Sequence, residues 1–147
     1  GDVDRYLSKL SHPLLDRIDL TMECKRPYKK DDDALVLEYS DPEGSSEVMY
    51  QKVILARKMQ TDRFKAKSFR CNGEVNDGLS LKELNLSKDS EASLNQLTKH
   101  YELSWRTHRR MALVARTIAD LEGSDLVRDD HVLESFQYIK IRFKYWK

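Results

Sequence analysis

The sequence predicts a mainly α-helical protein: a bundle of about four helices from Ser45 to the C-terminus, preceded by a short helix and one strand. Three observations lead there. Ser104 to Gly123 repeats apolar side chains at helical spacing between a start and a stop signal. Two more long segments, Ser45 to Lys67 and Ser87 to Tyr101, open with serines suited to capping a helix. By contrast, only Ile18 to Glu23 alternates apolar and polar residues as a half-buried strand does, with a six-residue piece, ALVLEY, as its candidate partner.

Within Ser104 to Gly123, Thr107, Met111, Val114, Ile118 and Leu121 form one stripe at roughly 100° per residue, and this stripe is expected to face the core. Ala112, Ala115 and Ala119 form a small-residue flank where another helix can approach closely. The other side carries Arg106, Arg109, Arg110, Arg116, Thr117 and Asp120. These arginines have two readings. One is a solvated face with ordinary ion pairs such as Arg116 with Asp120, worth a few tenths of a kcal/mol. The other is an anion site, since clustered guanidinium groups on a rigid helix suit phosphate oxygens. Composition does not choose between them.

The remaining elements follow in chain order. Val3, Tyr6, Leu7 and Leu10 are spaced as in a helix that stops near His12, because Pro13 disfavours helix at the residue before it. PLLDRID then makes a tight turn or one helical turn, and the strand follows. Residues 25–44 concentrate charge, two prolines and a glycine, so they read as a connector, within which residues 34–39 can pair with the strand as a hairpin. From Ser45 a long helix is expected to turn Val48, Met49, Leu55, Ala56 and Met59 inward. FRCNGEVNDGL breaks it, Ser80 to Leu84 allows a short helical turn, and Ser87 caps a helix with Leu94, Leu97 and Tyr101 inside. Asp129 and Asp130 open a last helix with Val132, Phe136 and Ile139 as its core. Its basic, aromatic tail IRFKYWK either packs its rings on the bundle or offers a stacking surface for bases.

Composition excludes several classes of function. A net charge of +1 with 35% charged residues provides no bulk basic field, so any polyanion contact must be local. No apolar run approaches the roughly 20 residues that cross a bilayer, and the first residues lack the order of a signal peptide. A soluble, cytoplasmic protein without membrane contact is expected. Cys24 and Cys71 are far apart and read as free thiols, and His12, His100, His108 and His131 are too scattered to suggest a metal site.

Three separated pieces resemble one family: YLSKLSHPLLDRIDL, SSEVMYQKVILARKMQTDRF, and LSWRTHRRMALVARTIADLEGSD followed by DHVLESFQY. Together they are similar to the C-terminal part of magnesium-chelatase-like AAA+ ATPases, most of all the competence-associated ComM-type branch. The resemblance implies a four-helix-type AAA+ lid bundle over residues 45–147, a connector at 25–44, and the end of the ATPase core at 1–24. It also implies that PLLDRID is the arginine-finger segment, with Arg17 as the catalytic finger that stabilises charge on a neighbouring subunit's nucleotide. Arg17 pairing with Asp16 or Asp19 is the structural alternative. SWRTHRR resembles the second-sensor position, which makes Arg106 the nucleotide-phosphate contact, with Arg109 and Arg110 one turn away as alternatives. Ala56-Arg57, Gln60 and Arg63-Phe64 match the family's first lid helix, without a role that the sequence explains.

The five glycines, at 1, 44, 73, 78 and 123, cannot form a GxxxxGK[ST] phosphate loop. The chain is therefore expected to be a C-terminal piece of a longer protein, inactive alone and binding no cofactor by itself. The parent is expected to use ATP and Mg2+, to form a homo-oligomeric ring, and to move along or remodel DNA. Two other functions stay open: the motor subunit of a metal chelatase, and a helical protein-interaction module without a nucleotide role.

Overall fold

The computed structural model describes Leu14 and residues 17–24, 44–75 and 80–145, the last five by backbone alone. The helix expected at residues 3–10, the hairpin segment at 34–39, most of the connector and the rings of the C-terminal tail lie outside the described residues. Four helices dominate what is described: α1 Ser46–Arg63, α2 Lys88–His100, α3 Trp105–Leu121 and α4 Asp129–Tyr145. Two 3-10 turns, Asn72–Glu74 and Leu81–Leu84, link α1 to α2. The mainly helical class is as the sequence predicts.

The helix boundaries follow from local chemistry. Ser45, Ser87 and Ser104 each accept a hydrogen bond from a backbone N–H of the first turn, from Val48 at 3.3 Å, Ser90 at 3.1 Å and Thr107 at 3.2 Å. α3 ends at Gly123, whose φ of 71° is the left-handed conformation that glycine adopts without strain. There the Gly123 N–H bonds the Asp120 carbonyl at 3.1 Å and the Ser124 N–H bonds the Ala119 carbonyl at 2.8 Å, which satisfies two orphan carbonyls. α4 starts with Asp129 and Asp130 in its first turn, where the helix dipole favours negative charge. His131 adds a cap: its Nδ1 accepts the Arg128 N–H at 3.0 Å. Because a backbone amide can only donate, the imidazole proton sits on Nε2, 3.0 Å from Glu122 at the end of α3.

α3 is the hub, packing against α1, α2 and α4. Its Met111, Ala112, Ala115 and Ala119 meet Leu94 of α2 and Val132, Phe136 and Ile139 of α4 in one core, which Phe64, Phe69, Leu84 and Val127 extend. The rings of Phe64 and Phe69 meet edge to face at 4.8 Å, and those of Tyr101 and Phe136 lie 4.7 Å apart.

Three expectations are corrected. Ile18 to Glu23 forms no strand: the Arg17 N–H bonds the Leu14 carbonyl at 3.0 Å, and from Ile18 the chain runs without regular structure. Ile18, Leu20 and Met22 are exposed. A strand needs a neighbour for its backbone groups. This segment instead docks on α4, where both the N–H and the hydroxyl of Thr21 donate to the Tyr138 carbonyl, the N–H at 3.0 Å. In α1, Ala56 is buried as expected, but Met49 and Leu55 are exposed, and Gln60 takes an inner place. Apolar side chains surround α1, so hydrophobicity alone does not say which side is covered. In α3 the stripe is rotated. Thr107 and Met111 are buried, yet Val114 and Ile118 are half-buried and Leu121 is exposed, while His108, Arg116 and Asp120 point inward with the alanines.

Candidate functional site

The rotation of α3 places charge inside the bundle and leaves an apolar strip on an open side. Arg116 and Asp120 are both fully buried. Arg116 donates to Asp120 through Nε at 3.1 Å, to the Asp125 carbonyl at 2.7 Å, to the Leu84 carbonyl at 3.4 Å, and to the Ser124 carbonyl. Burial pushes this guanidinium below its usual range, and the neighbouring Asp120 carboxylate opposes the shift. Asp120 also accepts both terminal nitrogens of Arg63 from α1 and the Asn72 amide at 3.0 Å. Asn72 donates to Thr117 at 2.9 Å, and its own N–H reaches Gln60 Oε1 at 3.1 Å. The Arg116–Asp120 pair is thus the centre of a buried network rather than a surface ion pair. Gln60 and Arg63, which the sequence left without a role, tie α1 to it, while Arg57 stays exposed.

On the other side of α3 lies a cleft of about 1110 Å³. Val114, Ile118 and Leu121 contribute apolar surface to it, which explains why this stripe is not core. Arg106, Arg109 and Arg110 reach it from the first turns of α3, and Arg17 reaches it from the docked N-terminal segment. The structure therefore brings Arg17, Arg106 and Arg109 to one cleft. Arg110 holds Asp19 at 2.9 Å, an ion pair that fixes the Arg17 segment against α3. Arg106 is exposed, and no hydrogen bond or ion pair holds it among the described residues.

With Lys52, five cationic side chains line the cleft against the carboxylates of Asp19, Glu122 and Glu134. Two of these carboxylates are already engaged. Asp19 is on Arg110, and Glu122 meets Arg128 at 2.8 Å and His131 at 3.0 Å, contacts that lower its pKa, Arg128 most. Burial, followed by the Glu134 carboxylate at 3.2 Å, raises the Tyr138 phenol. Arg106 is left to meet an anion from solvent, and guanidinium forks suit the oxygens of phosphate. Among the described residues, no group of three or more His, Cys, Asp or Glu is placed to hold a metal ion.

Sequence reasoning missed two residues of this region. Asn72 was legible only as part of a loop-forming stretch, although an amide between Cys71 and Gly73 is also able to bridge helices. Trp105 follows the capping Ser104 and also lines the cleft, 65% exposed. A tryptophan directly after the cap and ahead of Arg106, Arg109 and Arg110 was the available signal.

A helical bundle with an open, arginine-lined cleft on its central helix is the class of domain defined by this geometry. Residues 43–139 match the family described as magnesium chelatase, subunit ChlI C-terminal, and the chain belongs to that family. It is 32% identical over 138 residues to the uncharacterized protein YifB of Escherichia coli and 32% identical over 142 residues to the competence protein ComM of Haemophilus influenzae. It is 34% identical over 134 residues to an uncharacterized protein of Mycobacterium tuberculosis. Each match covers 91% of this chain and 25% of the relative, so the chain spans about a quarter of the length of these curated relatives. No described helix is long and apolar enough to cross a membrane.

Proposed function

We propose that this chain is the nucleotide-sensing lid, with the arginine-finger segment, of an ATP-binding AAA+ ATPase whose full-length form is a ring-forming DNA-remodelling motor. The observation that carries this is the position of Arg106: exposed at the start of α3, in the same cleft as Arg17. Arg106 takes a phosphate oxygen of the bound nucleotide, with Arg109 one turn further along the helix, and couples the nucleotide's state to the lid. Arg17 serves as the finger, directed at a neighbouring subunit's nucleotide, where a permanently charged fork offsets the charge that develops in phosphoryl transfer. ATP and Mg2+ are the cofactors, and we assign the metal's ligands and the phosphate loop to the remainder of the polypeptide.

The test uses the full-length protein. Arg17→Ala is expected to lower ATP turnover by about 10³-fold or more, the scale of a lost arginine finger, while nucleotide binding stays within a few-fold. Unchanged turnover removes the finger assignment. That the Haemophilus relative is a competence protein supports the DNA-linked reading. The family's description favours a second reading, the motor subunit of a metal chelatase. Stimulation of turnover by DNA supports the first, and stimulation only by partner chelatase subunits supports the second.

A further inference from the structure

We propose that Trp105 is a stacking platform for the heteroaromatic base of the nucleotide whose phosphates Arg106 and Arg109 hold, an inference that rests on the reading above. A tryptophan contributes most to stability when covered, yet this one stays 65% exposed. Its position is nevertheless fixed. The indole lies nearly parallel to the His108 ring, with centroids 5.1 Å apart and planes 16° from each other. His108 is buried, and its Nδ1 sits 2.7 Å from the Thr98 hydroxyl of α2, which also bonds the Leu94 carbonyl at 2.7 Å. The imidazole stacks, offset, on part of one face of the indole, and most of the tryptophan stays open to solvent. The bundle thus presents a flat, preorganised aromatic surface, and a partner stacking on it loses little further side-chain entropy.

What surrounds that surface selects the ligand. Trp105 shares its cleft with Arg106 and Arg109, its neighbours one and four positions along α3. Guanidinium groups for phosphate beside an open indole fit a molecule with an aromatic base at one end and phosphates at the other. A cleft of about 1110 Å³ is on the scale of a small-molecule site, and a chain of net charge +1 lacks the field that draws in a nucleic-acid strand. A single nucleotide is therefore the occupant. Every base has a π-face, so the contact adds affinity for a nucleotide over bare phosphate without choosing among bases.

The experiment measures equilibrium binding to the full-length protein of three probes: ATP, inorganic tripolyphosphate and a short single-stranded oligonucleotide. Trp105→Leu is expected to weaken ATP about tenfold, the scale of one lost base stack, and to leave tripolyphosphate within about twofold, with Trp105→Phe recovering most of the loss. Arg106→Ala is expected to weaken both ATP and tripolyphosphate. An unchanged ratio of ATP to tripolyphosphate affinity in Trp105→Leu overturns the proposal, as does a loss confined to the oligonucleotide, which reassigns the platform to single-stranded nucleic acid. If Arg106→Ala moves neither phosphate ligand, the phosphate reading itself fails, a result distinct from the ratio that judges Trp105.

Discussion

Replacing Asp120 by alanine tests the buried network most directly. The substitution removes a fully buried carboxylate that receives Arg116, both terminal nitrogens of Arg63, and Asn72. Arg63 keeps some access to water, with 18% of its side chain exposed, and can be resolvated. Arg116 cannot: its side chain is fully covered, and three backbone carbonyls are its remaining acceptors. Leaving one partner of a buried pair uncompensated costs about 3–5 kcal/mol, and the one Asn72 N–H that loses its acceptor, while the amide keeps Thr117, adds about 1 kcal/mol. The total, about 4–6 kcal/mol, is a large part of the roughly 5–15 kcal/mol that holds a domain folded. Urea unfolding of this chain, followed by far-UV circular dichroism, is the assay. With a slope of about 2 kcal/mol per molar urea, the midpoint is expected to fall by about 2–3 M. Asp120→Ala combined with Arg116→Met should be less destabilised than Asp120→Ala alone, because the second change removes the stranded charge. A loss below about 1 kcal/mol for Asp120→Ala, or a double variant no better than the single one, refutes the reasoning.

Two further predictions concern stability. Gly123→Ala puts a Cβ 3.3 Å from Leu55 Cδ2 at a φ of +71°; a cost of about 1–2 kcal/mol is expected, read in a thermal melt as a fall of roughly 2–4 °C per kcal/mol. Burial disfavours the imidazolium of His108 and pushes its pKa below the ordinary histidine range. Its folded-state pKa is thus depressed, so the stability it contributes is complete above the unfolded value and declines as pH falls toward the folded one. The urea midpoint should therefore be lower at pH 5.5 than at pH 7.5, and His108→Asn should shrink that difference; an unchanged pH dependence counts against the burial argument.

The sequence by itself determined the helix ends and the helical class. A serine hydroxyl over a first-turn amide, or a glycine at positive φ, acts within a few residues, so Ser45, Ser87, Ser104 and Gly123 could be read without knowing the neighbours. Family membership was legible for a similar reason, since it rests on local words kept in order along the chain. Only the tertiary structure decided which way the helices face. On α3 the aliphatic residues and the alanines lie on different sides, and hydrophobicity alone favours burying Val114, Ile118 and Leu121. The alanine side is buried instead, because Arg63 and Asn72 arrive from distant positions to satisfy Asp120 while three carbonyls beyond the helix satisfy Arg116. A charged pair becomes interior only when such partners exist, and spacing along one helix carries no record of them. That same rotation sets Trp105, Arg106 and Arg109 around the open cleft that Arg17 also reaches.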